Sequence, residues 1–402
     1  MKLKYDIPKE WKNVKLKNLV TQDIKNGYSP NCPEESNGSW ILSLGNLSEN
    51  GFDPSQAKPA PKEDDRVNDF LLKPGDFLIS RSNTLDKVGR TILFRGEIEN
   101  CSYPDLLMRF RVDEARVESA FLECYLRSSI VRKYIQSSAS GTSNSMVKIN
   151  KTVVENIPVV LPTYPEQKAI AALLSTWDEA IEKTKRLVKA KERRVKWLLR
   201  VLISEPRNTQ KGTEWKKVKL GEVCIVTKGK QLNVEHMKED GLYYALNGGI
   251  EASGRTDDWN TEAETITISE GGNSCGYVNN NTERFWAGGH CYSLLSLKTN
   301  TDKNYLYFYL SMNKPELMKL RVGSGLPNIQ KKDIEKFIVV LPSLDEQQRI
   351  ADTLSSVYKE IGLLKQLADK YKTQKRGLMQ KMLTGEWRVK SEVVKSYEEK
   401  DL

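Results

Sequence analysis

Residues 149–170 read INKTVVENIPVVLPTYPEQKAI, and residues 329–350 read IQKKDIEKFIVVLPSLDEQQRI. The second stretch repeats the first 180 positions later, and each ends in VVLP, three residues and Glu-Gln ahead of a long run of mixed polarity. A second landmark opens each copy. Glu10 to Leu16 is EWKNVKL, and Glu214 to Leu220 is EWKKVKL, 204 positions on. The chain is therefore an internal duplication. Its first copy carries about 24 extra residues between the landmarks, and the Pro- and acid-rich stretch from Ser48 to Asp69 reads as the loop that holds them.

Both copies share one plan. A variable region mixes strand-like alternation with Gly, Asn and Ser turns. A short helix follows, ESAFLECYLRSSIVRKYIQ in the first copy and NYLYFYLSMNKPELMKL in the second. A glycine turn (GTSNS or GSGLPN) then leads to the strand ending VVLP and to a long helix.

The starts of the long helices fit the capping box S/T-x-x-E. Thr163 and Glu166 supply it in the first copy, Ser343 and Glu346 in the second. Beyond the caps, apolar residues recur three and four apart. Ile170, Leu173, Leu174, Trp177, Ile181, Leu187, Val188, Val195, Leu198 and Leu202 mark the first helix. Ile350, Leu354, Val357, Ile361, Leu364, Leu367, Tyr371, Leu378 and Met382 mark the second. Each helix runs for about 38 residues, roughly 57 Å at a rise of 1.5 Å per residue. One apolar stripe on so long a helix needs a partner, and the duplication supplies it. The expected fold is α+β, with two mixed α/β domains joined by long helices paired as an antiparallel coiled coil around a pseudo-twofold. The alternative is that each helix folds back on its own domain. The stretch from Ser204 to Trp215 links the halves, and the charged tail after Trp387 is expected to fray.

Composition sets the partner class. The chain has 402 residues, with 63 Lys and Arg against 53 Asp and Glu, for a net charge of +10. That excess favours a polyanion such as nucleic acid. No run of apolar residues is long enough for a membrane span, and the start MKLKYDIPKEW lacks the apolar stretch of a signal peptide. The six cysteines are scattered, without C-x-x-C, so neither a zinc site nor a disulfide framework is indicated. A reducing cytoplasm is the simplest compartment. No P-loop, H-E-x-x-H, G-x-S-x-G or NPPY-type motif occurs. The only imidazoles, His236 and His290, lie in one copy, whereas a duplicated enzyme would carry its base twice. Glu270-Gly271-Gly272 offers a single acid, which does not make a metal site. No catalytic and no metal-binding residue is assigned.

Two similar domains on a rigid spacer make a two-headed reader. Duplex DNA asks for Lys, Arg and backbone amides at phosphates, and for Arg, Asn and Gln forks at base edges. In the first copy Arg81, Ser82, Asn83, Lys87 and Arg90 lie in a polar loop after a strand, and Ser143, Asn144 and Lys148 in the glycine turn. In the second copy the loop from Ile268 to Tyr277 holds the matching place and contains Asn273. Asn328 and Gln330 stand in the matching turn, and Lys228, Lys230, Asn247, Arg255 and Asn279 complete the set of loop candidates. Any one such loop is commonly no more than a solvated turn. The first long helix carries ten Lys or Arg and five Asp or Glu from Pro165 to Ile203. That run suits a solvated coiled-coil face, a track along DNA or a dock for a partner.

The block VVLP-x3-EQ-x2-IA before a long helix, present twice, resembles the specificity subunit of type I restriction–modification systems. LLKPGDFLISRSNTLDKVGR, residues 71–90, and FWAGGHCYSLL, residues 285–295, are similar to segments of that family's target recognition domains. The resemblance runs from Trp11 to Trp387. Ser82-Asn83 departs from the small turn usual after Arg81. The resemblance implies target recognition domains at 1–162 and 205–342, spacer helices at 163–204 and 343–388, and a charged tail at 389–402. It implies that each domain reads half of a split double-stranded DNA target and that the helix pair, with Trp177, Ile181, Ile361 and Leu364 in its seam, sets the gap. Two adenine methyltransferase subunits would dock on the chain, and restriction and translocase subunits would join through them. S-adenosylmethionine, ATP and magnesium would belong to those partners, and this chain would hold no cofactor. Rival readings are an autonomous enzyme on nucleic acid, a scaffold indifferent to DNA, and a DNA-binding subunit of a related defence or fused methylase system.

Overall fold

The computed structural model describes residues 7–36, 38–49, 51–141, 146–204, 215–323 and 327–398. The chain forms two compact units. Unit 1 joins the residues up to Lys183 with those from Ala368 onward, and unit 2 runs from Thr184 to Leu367. Each unit thus holds one globular domain and part of both long helices.

The two landmarks of each copy prove to be neighbours. In unit 1 the strand Lys12–Lys15 pairs antiparallel with Pro158–Leu161. In unit 2 Lys216–Lys219 pairs in the same way with Ile338–Leu341. The opening motif of each copy is therefore stitched to the VVLP strand at its end.

Between them lies one topology, used twice. Unit 1 has a four-stranded antiparallel sheet in the order Lys25–Asn26, Leu107–Phe110, Phe77–Ser80, Thr91–Leu93. Unit 2 repeats it as Ile225–Lys228, Cys291–Leu295, Thr265–Ser269, Val278–Asn281. A three-stranded sheet accompanies each. Trp40–Ile41 pairs parallel with Cys101–Ser102 and antiparallel with Lys58–Pro59. Tyr243–Leu246 pairs parallel with Phe285–Ala287 and antiparallel with Gly254–Thr256. The strands Phe77–Ser80 and Thr265–Ser269 are buried at every residue, so alternation is absent where the sheet is covered on both faces.

Each expected short helix is two. Ser119–Leu126 gives way to Ser129–Ser138, whose N-cap is Ser128. Lys303–Met312 gives way to Lys314–Lys319 at Asn313, with Pro315 in the first turn. A side-chain cap or a proline suits a new helix start better than a helix interior. The Ser48–Asp69 stretch is more ordered than a plain loop. It overlaps the hairpin Leu47–Ser48/Gly51–Phe52 at its start and the 3-10 turn of Asp65–Phe70 at its end.

The long helices run Tyr164–Leu199, with a π turn at Arg200–Ser204, and Leu344–Leu383. Among the buried and half-buried positions of the first, one continuous series is Ile170, Leu174, Trp177, Ile181, Thr184, Val188, Lys191, Val195 and Leu198. That spacing alternates four and three without a break, the 3.5-residue period of a left-handed seam. Leu173 and Leu187 lie off the seam and are exposed. On the second helix Ala368, not Leu367, is the buried residue. Within unit 1 Trp177 meets Tyr371 edge-on at 5.7 Å and Asp178 pairs with Lys375, while Glu166 meets Arg388, so the two chain directions oppose. Within unit 2 Leu198 and Ile203 cluster with Ile350 and Leu354, and Val188 and Val195 with Ile361 and Leu364. Lys191 and Glu192 pair with Glu360 and Lys365.

The expected capping boxes give way to other contacts. Ser343 Oγ does accept from the Glu346 N–H, at 3.4 Å, but the Glu346 carboxylate turns to Arg349. Glu166 is 1% exposed and accepts from Trp11 Nε1 at 2.9 Å and from Arg388. The next residue makes the same three bonds in both copies. Gln167 accepts from the Glu118 N–H and donates to Pro162 O and Arg116 O. Gln347 accepts from the Asp302 N–H and donates to Pro342 O and Asn300 O. Each Gln ties the first helical turn to the segment before the domain's short helices. Gln347→Leu keeps the volume but leaves the part-buried Asp302 N–H unpaired and the buried bond to Pro342 O unmade, so a loss of about 1–3 kcal/mol is expected. Gln167→Leu should cost unit 1 a similar amount in urea unfolding. Unchanged midpoints would show the tethers to be energetically idle.

Val389 packs against the unit 1 core, and Ser391–Glu398 is helical. The tail expected to fray is therefore at least partly built onto unit 1.

Candidate nucleic-acid interface

The polar loops after the buried strands close in the same way in both units. In unit 1 the Ser80 N–H donates to Arg90 O and the Gly89 N–H to Ser80 O. In unit 2 the Ser269 N–H donates to Tyr277 O and the Gly276 N–H to Ser269 O. Gly89 and Gly276 both have φ of +73°, a left-handed conformation that glycine adopts without strain. Each loop is also tied to the later glycine-turn segment. Ile149 N–H donates to Arg81 O at 2.9 Å, and Ile329 N–H to Glu270 O at 2.8 Å. The next residues continue the pairing, with Ser82 opposite Lys148 and Gly271 bridged to Asn328.

In unit 1 these bonds gather Arg81, Ser82, Asn83 and Lys148 into one edge, with Lys87 exposed in the same loop. Arg81 is half-buried, and its guanidinium has no hydrogen-bond partner among the described residues. Ser82 is buried, so its hydroxyl is not at the surface as expected. Asn83 Oδ1 accepts from the Thr84 N–H, and Arg90 reaches Leu47 O at 3.4 Å. Ser143 and Asn144 lie outside the described residues. Arg132 is absent from the sequence candidates yet shapes the loop. From the second short helix its guanidinium donates to the carbonyls of Leu85, Asp86 and Val88 and so props the loop from behind. Burial, and then the charge of Arg90, pull its pKa below the ordinary arginine value. Helical spacing alone carries no sign of that role.

In unit 2 Lys228 ends its strand beside Glu270, and Asn273 is exposed in the loop. Asn328 is held through its backbone by Gly271 and Val322, and Gln330 is the N-cap residue of Lys331–Lys336. Asn247 Oδ1 accepts from the His290 N–H, while Asn279 reaches Gly249 O at 3.5 Å. Lys230 is exposed, with its carbonyl taken by Trp286 Nε1. Arg255 stands apart. It sits in the three-stranded sheet and spends its guanidinium on the carbonyls of Gly241 and Leu242.

Glu270, a lone acid in the sequence, is not alone in the fold. It is 5% exposed, and Oε1 accepts from Lys228 Nζ at 2.5 Å and from the Tyr292 hydroxyl at 3.1 Å. His290 Nδ1 lies 3.3 Å from Oε2. Burial would raise its pKa, but the bonds from Lys228 and Tyr292 outweigh that and leave the carboxyl below its usual range. Among the described residues no group of three or more His, Cys, Asp or Glu is placed to hold a metal. Nor is any helix there long and apolar enough to cross a membrane.

Both copies of the repeat have counterparts among known proteins. The model of the type I restriction modification DNA specificity domain matches residues 8–191 and again 212–372. The "Putative type I restriction enzyme MjaX specificity subunit" of Methanocaldococcus jannaschii is 24% identical over 96% of both chains. A type I specificity subunit of Mycoplasma pneumoniae is 34% identical over 36% of this chain and 38% of its own. The crystal structure of the type I restriction–modification S subunit from M. genitalium superposes with a TM-score of 0.60 at 18% identity, covering 96% of this chain and 98% of that one.

Proposed function

The chain belongs to the type I restriction modification DNA specificity family, and from that membership we propose that each unit reads one half of a bipartite, asymmetric duplex target. The observation that carries this reading is the loop built twice on identical backbone bonds but tipped with different side chains. A shared scaffold with unlike tips is what recognition of two unlike half-sites requires. In unit 1 Arg81, Asn83, Lys87 and Lys148 offer donors suited to base edges and phosphates. In unit 2 Lys228, Lys230, Asn273 and Gln330 do the same. The +10 charge draws the chain to DNA through release of counterions, and that part of binding weakens with salt.

The helix pair acts as the ruler between half-sites. Two adenine methyltransferase subunits dock on the duplicated surfaces, and restriction and translocase subunits join through them. Leu187, Trp197 and Leu363 stay exposed on the helices of unit 2 and suit such a partner. S-adenosylmethionine, ATP and magnesium belong to those partners, and this chain contributes the choice of target.

The test is a long-read map of adenine methylation in the host genome with the gene intact and deleted. One bipartite motif is expected to vanish on deletion. An unchanged map would overturn the reading.

A further inference from the structure

At one position the two loops carry opposite charges. The Arg81 N–H donates to Leu106 O and its carbonyl accepts from Ile149; the Glu270 N–H donates to His290 O and its carbonyl accepts from Ile329. The two residues are equivalent in backbone, yet one is a cation and the other an acid. The surroundings differ to match. Met108 pairs with Ile79 as Tyr292 pairs with Ile268, and Asn26 pairs with Met108 as Lys228 pairs with Tyr292. Where unit 1 has Met108 and Asn26, unit 2 therefore has Tyr292 and Lys228.

A buried carboxylate must be paired to persist. Glu270 is paired with groups whose far ends reach solvent, because the side chains of Lys228 and His290 are 50% and 57% exposed. An ammonium has three donors. One goes to Glu270 Oε1, and the others remain for a ligand. Lys228 Nζ also lies 5.9 Å from the Tyr292 ring centre, which limits its sweep.

Resting on the reading of unit 2 as a half-site reader, we propose that Glu270 is a positioning residue that holds Lys228 against an acceptor on the DNA. Lys228 then does for the second half-site what Arg81 does for the first. The acceptor is a purine N7/O6 edge or a backbone phosphate oxygen. His290, on the other carboxylate oxygen, is held beside it.

The experiment expresses full-length Glu270→Gln, Lys228→Met, the double variant Lys228→Met/Glu270→Met and Arg81→Met from the native locus. Methylation motifs are mapped, and binding of the purified assembly to target duplexes is titrated against salt. If the acceptor is a base edge, Glu270→Gln and Lys228→Met make the same position of one half-site degenerate, while Arg81→Met alters the other half. If it is a phosphate, the motif stands, affinity falls about tenfold in both variants, and the salt slope drops by about one in Lys228→Met alone, because Glu270→Gln keeps the ammonium. The double variant removes charge and counter-charge together, so it keeps unit 2 folded and should match Lys228→Met. A wild-type motif, affinity and salt slope in Glu270→Gln or in the double variant would overturn the proposal, as would effects of Glu270 and Lys228 on different half-sites. Were the unmodified chain to direct no motif, the half-site reading itself would fall, a result distinct from a normal motif that ignores Glu270.

Discussion

A heptad inserted into both long helices, between Lys183 and Thr184 and between Leu367 and Ala368, is expected to lengthen the gap between half-sites and leave both half-sites unchanged. The reasoning starts from the seam. Its members recur four and three apart from Ile170 to Leu198 and from Ile350 to Met382. A heptad restores every later seam residue to its face, so knobs still meet holes. Each helix grows by roughly 10.5 Å at 1.5 Å per residue, which equals about three base pairs at 3.4 Å each. An insertion of about four residues adds roughly 6 Å but turns the seam by some 40°. It should shift the gap too, at lower methylation. A heptad in one helix alone should disrupt pairing, because the partner has no residues to match it. A methylation map with the original gap after the double insertion would remove the ruler from the account of this chain.

The sequence displayed some levels of this structure and concealed others, for physical reasons. The duplication was legible because both landmarks serve backbone-level needs common to the two copies. The K-x-V-K of EWKxVKL forms the strand that pairs with the VVL of VVLP, and the Gln of Glu-Gln makes three buried or part-buried hydrogen bonds in each copy. The long helices were legible from their period, but not every member of the seam is apolar. Thr184, Lys191 and Lys375 sit on it as polar members, and a search for apolar residues passes over them while accepting Leu173, Leu187 and Leu367. The central strands hid for the opposite reason, since FLIS and TITIS are buried on both faces and carry no alternation. Of the candidate site, sequence could place the loops but not the partners of their side chains. Arg255 and Lys228 look alike as basic residues of the second copy. One is consumed by two carbonyls just ahead of the neighbouring strand, and the other is held at a loop rim by an acid 42 residues away.

Arg388→Met is expected to destabilise unit 1 by about 2–3 kcal/mol and to leave unit 2 unaffected. Glu166 is 1% exposed, and its carboxylate is shared between Trp11 Nε1 and the Arg388 guanidinium, with Arg388 stacked 5.4 Å from the Trp11 ring centre. This clasp joins the opening motif, the start of the first long helix and the segment after the second. Removing one partner of a buried pair costs about 3–5 kcal/mol, because the remaining charge is stranded. Solvent reaches the guanidinium, whose side chain is 42% exposed, and that lowers the expected cost to about 2–3 kcal/mol. Glu166→Gln should cost less, about 1 kcal/mol, since a neutral amide still accepts from Trp11 and needs no counter-charge. The double variant separates the causes. With no charge left to strand, it should be more stable than Arg388→Met alone, a sub-additive pair in urea unfolding followed by hydrogen exchange of the unit 1 amides. A double variant no more stable than Arg388→Met would mean that Arg388 acts by packing on Trp11 and not by holding the Glu166 charge.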